Sequence, residues 1–498
     1  MNNLFFGILT ITFCAIGYFF SWKYQAKDNF KIAVLLLLLC GFALRLFTST
    51  DFFLHVWDER YHALVAKNLI GHPMTPTLYN DSFLPHDVKS WTAGYVWLHK
   101  QPLPLWSMAF SMWVFGTNEI ALRLPSILLS TIGIGLTFLI GSYFFNKKIG
   151  YLAAFFYSIN GLIIELTAGR VATDHIDIFF LFFIELAILF TILFSLKRKT
   201  IYNVMTGICI GAAILSKWLP ALIVLPIWLL IVIDSGNFKT RSIILQSIIL
   251  LFTMMAIFLP WQIYTFKVFP VEANFEASFN IKHITEVLEG QTGPCYYYLD
   301  KIRINYGELI YLPLLWFLWK TMKDKKNYKR IAISIWFLIP FFFFSFAKTK
   351  MQGYILFTSP ALFIMSSEFW YMLADSKKQL SSKWIFNLIL ILLIALPVRY
   401  SIERIKPFEK TDRNPQWVSD LKKLNEKKYL KGVLFNYPKP IEAMFYTNLT
   451  VYPDLPDNVL VDKLQQAGYY ILLNDNPNAP KDISTLKCSE HLHLSVPN

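Results

Sequence analysis

Charge is scarce in this chain, and negative charge scarcer still. Charged residues are 16% of the sequence, with 33 Asp and Glu against 47 Lys and Arg. With 55% hydrophobic residues, the chain has too little polar surface to enclose its apolar content in water. Cysteine is also sparse. Five cysteines in 498 residues exclude a disulfide scaffold. Cys14, Cys40 and Cys209 fall in apolar runs and read as small hydrophobes. Cys295 and Cys488 fall in stretches expected outside the cytoplasm, where a disulfide between them is chemically allowed. No internal repeat, low-complexity tract, P-loop or GxGxxG is present. No spacing matches a metal-ligand motif. His62, His86, His99 and His175 nevertheless share one expected face with carboxylates, so a divalent metal stays open as a cofactor.

What the chain has in abundance is long apolar runs. "KIAVLLLLLCGFALRLF", "IDIFFLFFIELAILFTILF" and "NLILILLIALPV" are the clearest. At 1.5 Å per helical residue, runs of this kind cross a hydrocarbon slab of roughly 30 Å. Helices satisfy their own backbone hydrogen bonds in lipid, so the expected fold is an all-α polytopic membrane protein of about twelve transmembrane helices. The expected spans are 3–20, 31–49, 121–145, 149–167, 176–196, 201–216, 218–233, 243–266, 304–319, 330–346, 351–372 and 384–400. The first of these looks like a signal-peptide core, but no cleavage site follows it, and it reads as a retained span.

The formal charge of +14 does not point to nucleic acid, because of where the bases sit. They cluster in short gaps: "NKK" (146–148), "KRK" (197–199), "KTR" (239–241), "KTMKDKKNYKR" (320–330) and "KKQLSSK" (377–383). Short basic loops stay in the cytoplasm, and a single threading puts all of them there. Residues 50–120, 168–175, 267–303 and the tail from 401 then fall outside. Within 50–120, "KQPLPLWSMAFSMWVFG" reads as a helix lying in the interface, since a further span would reverse every later loop. The tail turns polar. "GVLFNY", "LTVYP" and "YYILLND" read as strands and "VSDLKKLNEKK" and "VLVDKLQQAG" as helices. Two domains are expected: a transmembrane domain, 1–400, with external loops 50–120 and 267–303, and a small extracytoplasmic α/β domain, 401–498.

Polar residues at that outer face need a reason, because charge near lipid is costly. "VWDERYHALVAKNL" (56–69) brings Asp58, Glu59 and Tyr61; "WLHKQPLPLW" (97–106) brings His99 and Lys100. "LTAGRVATDHIDIFF" (166–180) brings Arg170 and Asp174, and "FAKTKMQGYILFTSP" (346–360) brings Lys350 and Tyr354. Carboxylates beside cations suit the transfer of a sugar from a lipid phosphate. A carboxylate can take the proton of an acceptor hydroxyl, and fixed cations favour the charge that grows on the leaving phosphate.

Along these stretches the chain resembles the membrane-embedded GT-C type glycosyltransferases. The group it resembles is the bacterial branch of the dolichyl-phosphate-mannose protein mannosyltransferase family, with the lipid A aminoarabinose transferases. "GTNEIALRLPSILLS", "NKKIGYLAAFFYSINGLIIELTAGRVATD", "LPWQ" (259–262), "GPCYYYL" (293–299) and "AKTKMQGYILFTSP" carry the likeness together with the first two stretches. The resemblance implies an inverting glycosyltransferase of the bacterial inner membrane, with its site on the periplasmic side. Its partners would be a polyprenyl-phosphate sugar donor, the lipid bilayer, and a lipid, glycan or protein acceptor, with no nucleic acid. It implies a catalytic role for Asp58, with Glu59 and Asp174 as further acidic positions. Lys100, Arg170, Lys350 and Tyr354 would meet the donor phosphate, with Tyr61 and His99 in support. His99, Gln101 and Gln352 depart from the family pattern, which bears on the donor sugar and the acceptor. Arg123 in "LRLP" matches too, but is expected toward the cytoplasmic side and is assigned to structure. The competing reading is a transporter or flippase of a lipid-linked or anionic solute. Such proteins usually place their polar groups at mid-membrane, often in repeated halves.

Overall fold

The computed structural model of the chain describes residues 3–376, 383–427, 429, 431–475 and 488–496. Among these, 8 helices are long and apolar enough to cross a membrane: Asn3–Ala26, Phe30–Thr48, Glu119–Phe144, Asp174–Lys197, Thr200–Lys217, Thr240–Val268, Tyr328–Phe346 and Trp384–Ile405. The chain is a multi-pass membrane protein.

A ninth span arises if Lys147–Ile159 and Gly161–Thr167, which meet at 52°, are taken together. The bend has a local cause. The Asn160 side chain accepts from Ile163 N–H at 3.0 Å, starting a new helix, and donates to Asn305 O at 2.8 Å. A Cβ on Gly161 would lie 2.9 Å from Arg404 Cδ, so only glycine admits the last long helix there. Three further expected spans are interrupted. Run 218–233 opens with the 3-10 turn Leu219–Ile223 before Val224–Asp234. Run 304–319 breaks at Gly307, whose φ is +93°. Run 351–372 begins with the 3-10 segment Gln352–Thr358. The count of twelve is therefore not reproduced by the unbroken helices.

The stretch expected in the interface forms the helix Pro102–Phe115, whose 14 residues are too few to cross the slab. It leaves Phe110, Trp113 and Phe115 exposed. Another helix in this loop, Asp58–Gly71, packs against it.

The tail holds a wholly parallel sheet in the order β2-β1-β3-β4, with β1 Gly432–Phe435, β2 Thr450–Val451, β3 Tyr470–Asn474 and β4 Glu490–Leu492. The helices Pro440–Tyr446 and Asn458–Gln466 make the crossovers that parallel strands require. Strand β4 has no counterpart in the sequence reading. Trp417, Leu421, Leu434 and Phe445 of the tail share one apolar core with Leu54, Leu64 and Trp97 of the first loop. The tail thus holds the helix Asp58–Gly71 in place. Arg60 donates to Glu442 at 3.0 Å, and the Lys67 ammonium donates to the carbonyls of Met444, Phe445 and Thr447. All five cysteines are free, with Cys295 exposed.

Helices Glu119–Phe144 and Lys147–Ile159 touch through small residues, as membrane helices tend to do. A Cβ on Gly150 would fall 2.4 Å from Phe138 O, whereas one on Gly135 meets nothing within 4 Å. Gly150→Val should therefore destabilise the protein in detergent by about 1–3 kcal/mol, the usual cost of overpacking. Gly135→Ala should leave the thermal midpoint unchanged or slightly raised. Equal melting of the two variants would contradict this packing.

Candidate active site

Consecutive residues on a helix point about 100° apart, and this separates the two adjacent acids. Asp58 and Glu59 open the helix Asp58–Gly71, where the helix dipole favours negative charge. Asp58 faces a cavity of about 860 Å³; Glu59 faces the protein interior.

Asp58 Oδ2 accepts from the Thr173 N–H at 2.8 Å and lies 3.7 Å from Lys100 Nζ. Burial would raise the Asp58 pKa, but Lys100, His62, the Thr173 amide and Lys217 together pull it below the ordinary value. The carboxylate is therefore ionised at neutral pH.

The Thr173 amide is aimed by an unusual turn. Thr173 has φ +70° and Asp174 φ +27°, two left-handed residues in succession without a glycine. A β-branched residue at positive φ is strained, and such strain is held only where the surroundings enforce it. Here Thr173 Oγ1 donates to Asp177 Oδ2, and the backbone at Gly353 closes over both. A Cβ on Gly353 would lie 2.4 Å from Asp177 Oδ2 and 2.6 Å from Thr173 Oγ1. Asp177 also pairs with Lys217, whose ammonium sits 4.9 Å from the centre of the Tyr354 ring.

The cavity thus has a charged end, with Asp58, Lys100, Lys217 and Arg60, and an apolar wall that includes Trp57, Leu219, Phe343, Phe344 and Met351. Its remaining side carries Tyr61, Trp91, Asn280, His283 and Glu289. His99 stacks on Trp91 with ring centres 4.6 Å apart, and its Nδ1 is 3.2 Å from Glu276 Oε2. Burial, then Lys100, hold the His99 pKa far below its usual value, so the ring is neutral. Burial lifts the Glu276 carboxyl to about 7.

The structure gathers Asp58, Tyr61, His99, Lys100 and Tyr354 around one cavity and leaves the other expected site residues off its lining. Glu59 is fully buried, receiving Arg123 Nε at 2.6 Å and Nη2 at 2.9 Å, with His55 and His175 beside it. Its neighbours, chiefly Arg123, overcome the burial and hold its pKa well down. The chain passes tightly around this ion pair at Gly169, φ +76°, where a Cβ would lie 2.2 Å from Glu59 Oε1. Asp174 is buried against His62. Arg170 is taken up by Asp51, at 2.9 Å. Lys350 turns its ammonium onto Ala347 O at 2.5 Å. Arg123 sits in the first turns of its helix, at the same end of the bundle as Asp58 rather than at the opposite one. Among the described residues no group of three or more His, Cys, Asp or Glu side chains is placed to hold a metal, and the Asp58 and Asp177 carboxylates are paired with cations.

Lys217, Thr173 and Asp177 are the site residues that sequence reasoning passed over or read as plain helix ends. The signal for Lys217 was there. It is a lone base between two apolar runs, at a junction that the threading places on the outer face.

The model of the family "Dolichyl-phosphate-mannose-protein mannosyltransferase" matches residues 99–264. Residues 99–264 are thus similar to that family. The matched segment includes Lys100, Asp174 and Lys217 but not Asp58 or Tyr354. An undecaprenyl phosphate-α-4-amino-4-deoxy-L-arabinose arabinosyl transferase of Photorhabdus laumondii is 24% identical over 63% of this chain and 54% of its own length. An uncharacterized protein of Aquifex aeolicus is 26% identical, over 69% of this chain and 66% of its own. The chain thus spans between half and two thirds of these relatives. In three dimensions it is similar to ArnT from Cupriavidus metallidurans bound to undecaprenyl phosphate, with a TM-score of 0.61, 16% identity, and coverage of 87% of this chain and 88% of the other. It is also similar to the Archaeoglobus fulgidus oligosaccharyltransferase, with a TM-score of 0.57, 15% identity, and coverage of 85% and 64%. The fold is ArnT-like.

Glu276 yields a test of the site's electrostatics. Between its ordinary value of 4.5 and about 7, the folded protein holds a proton that the unfolded chain has released. Its contribution to stability therefore falls as pH rises across that window, by about 1.4 kcal/mol per pKa unit at most. Glu276→Gln should flatten the loss of thermal midpoint between pH 5 and pH 8. An unchanged pH dependence would remove Glu276 from this account.

Proposed function

We propose that the chain moves a sugar from a polyprenyl-phosphate donor to an acceptor hydroxyl or phosphate on a lipid, glycan or protein. The observation that carries this reading is the Asp58 carboxylate beside Lys100, close to Lys217, at the charged end of a cavity with an apolar wall. The polyprenyl chain would lie along that wall and the phosphate between the two ammonium groups. The names of the relatives support the donor class, since ArnT was solved with undecaprenyl phosphate. We place the cavity and the tail on the periplasmic face of a bacterial inner membrane, with 1–400 as the transmembrane domain and 401–498 as an extracytoplasmic one, on the strength of the basic loops at the opposite ends of the helices.

The chemistry follows from the positions. Asp58 accepts the proton of the acceptor as its oxygen attacks C1 of the sugar. The bond from C1 to the phosphate oxygen breaks on the opposite face, so the configuration at C1 inverts. Charge grows on the leaving phosphate, where Lys100 and Lys217 stabilise it more than they stabilise the bound donor. Tyr354 restrains Lys217 through its ring, and the turn at Thr173 holds Asp58 at a fixed angle.

Asp58→Asn is expected to fold and bind donor but to lower transfer by about 10²–10⁴-fold, the usual worth of a positioned base. Lys100→Met and Lys217→Met should each raise KM for the donor about tenfold or more, for loss of a charge-assisted contact worth about 1.5–3 kcal/mol. Lys350→Met should shift it less than about twofold. Transfer by purified protein in detergent, with labelled polyprenyl-phosphate sugars, measures all four. Normal turnover by Asp58→Asn would overturn the reading, and so would transport without transfer.

A further inference from the structure

The cavity has a side that the mechanism above leaves unused. The helix Pro270–Thr285 and the turn after it build that side, contributing Asn280, His283, Glu289 and Gln291 to the lining. The segment is joined to the charged end through side chains. Glu276 reaches His99, the neighbour of Lys100, at 3.2 Å. Glu289 accepts from the Trp91 indole N–H, and the Trp91 ring stacks on His99. A sugar on a phosphate held by Lys100 would therefore lie against this side. Along the chain's other edge the segment is fixed by backbone. Lys348 N–H donates to Ile284 O at 3.1 Å, Thr349 N–H to His283 O at 3.0 Å and Lys350 N–H to Gln291 O at 3.1 Å. The Thr349 hydroxyl donates to Glu286 O at 2.8 Å and accepts from Leu288 N–H at 3.1 Å. The surface is thus set before a ligand arrives.

What this surface offers is mostly acceptors. A carbonyl accepts, so His283 Nδ1, 2.9 Å from Phe279 O, carries the ring's hydrogen. Nε2 is then left as an acceptor. Burial, with Lys100 and Lys217, outweighs the pull of Phe279 O and lowers the His283 pKa, so the ring is neutral. Asn280 Nδ2 donates to Glu276 O at 2.8 Å, which makes Oδ1 the acceptor of that side chain. Glu289 adds a carboxyl. No lysine or arginine of 267–303 lines the cavity.

We propose that this side receives the sugar of the lipid-linked donor, and that it selects a sugar presenting hydroxyl or amino hydrogens and carrying no carboxylate. This rests on the glycosyl-transfer reading. Sugar O–H or N–H groups donate to His283 Nε2, Asn280 Oδ1 and the Glu289 carboxyl. A site built on such hydrogen bonds rejects an analogue that leaves them unmade. A uronic acid would bring its carboxylate beside Glu289 and two further acceptors, with no cation of this segment to pair it. An anion taken out of water without a partner is costly, so the same surface repels the wrong donor.

The test is equilibrium binding to the purified full-length protein in detergent, without acceptor. The probes are polyprenyl phosphate alone and polyprenyl-phosphate mannose, xylose, glucosamine and glucuronate. At least one of the first three sugars is expected to tighten binding about tenfold or more over the bare phosphate, as two or more hydrogen bonds would, and glucuronate to add nothing. His283→Phe and Asn280→Ala should each weaken the preferred sugar-bearing lipid about three- to tenfold and move the bare phosphate by less than about twofold. The proposal fails if glucuronate tightens binding, if no sugar does, or if the two variants spare the sugar-bearing lipid or weaken both lipids alike. The comparison of sugars uses the unaltered protein, so it decides even if a variant does not fold. Lys100→Met and Lys217→Met are run alongside on the bare phosphate. If neither weakens its binding, the glycosyl-transfer reading itself falls; if both do while the sugars make no difference, only the sugar site falls.

Discussion

The site depends on one strained turn. Thr173 and Asp174 are left-handed in succession, and neither is a glycine. That conformation points the Thr173 amide at Asp58, sends Thr173 Oγ1 to Asp177, and starts the helix that buries Asp174 against His62. Relaxing the turn would release three carboxylates at once. What prevents this is the close approach of Gly353 on one side and the fixed helix Asp58–Gly71 on the other. Strain of this kind fixes the reactive groups in place before any substrate arrives.

Around that turn the charges divide into two sets that the sequence does not separate. One set is buried behind the cavity: Glu59 with Arg123, and Asp51 with Arg170 and Arg413. Removing one partner of such a pair leaves a bare charge inside the protein, so these residues behave as a frame joining the ends of distant helices and the start of the tail. The other set opens on the cavity: Asp58 with Lys100, and Lys217 held by Asp177. Of the two sets, only the second contributes cations to the cavity lining.

Much of the fold was legible from hydropathy, because a helix in lipid must be long and apolar whatever its neighbours. The breaks at Asn160, Gly307 and Gln352 were not, since each depends on a partner far along the chain. Asp58, Lys100 and Tyr354, expected together from their motifs, do line one cavity. Glu59 and Arg170 could not be told from reactive groups, as a buried ion pair and a substrate-binding cation look alike in sequence. Lys217 and Lys350 sit at the same expected face, each beside an apolar run. Only the packing shows that Lys217 points into the cavity while Lys350 turns to Ala347 O.

The most direct test of the central claim is a structure of this protein with a polyprenyl phosphate bound. The account predicts the phosphate within hydrogen-bonding distance of Lys100 and Lys217, the lipid chain along Leu219, Phe343 and Phe344, and Asp58 free to face C1 of a sugar. A phosphate bound at Lys350 or Arg170, with Asp58 remote from it, would contradict the account.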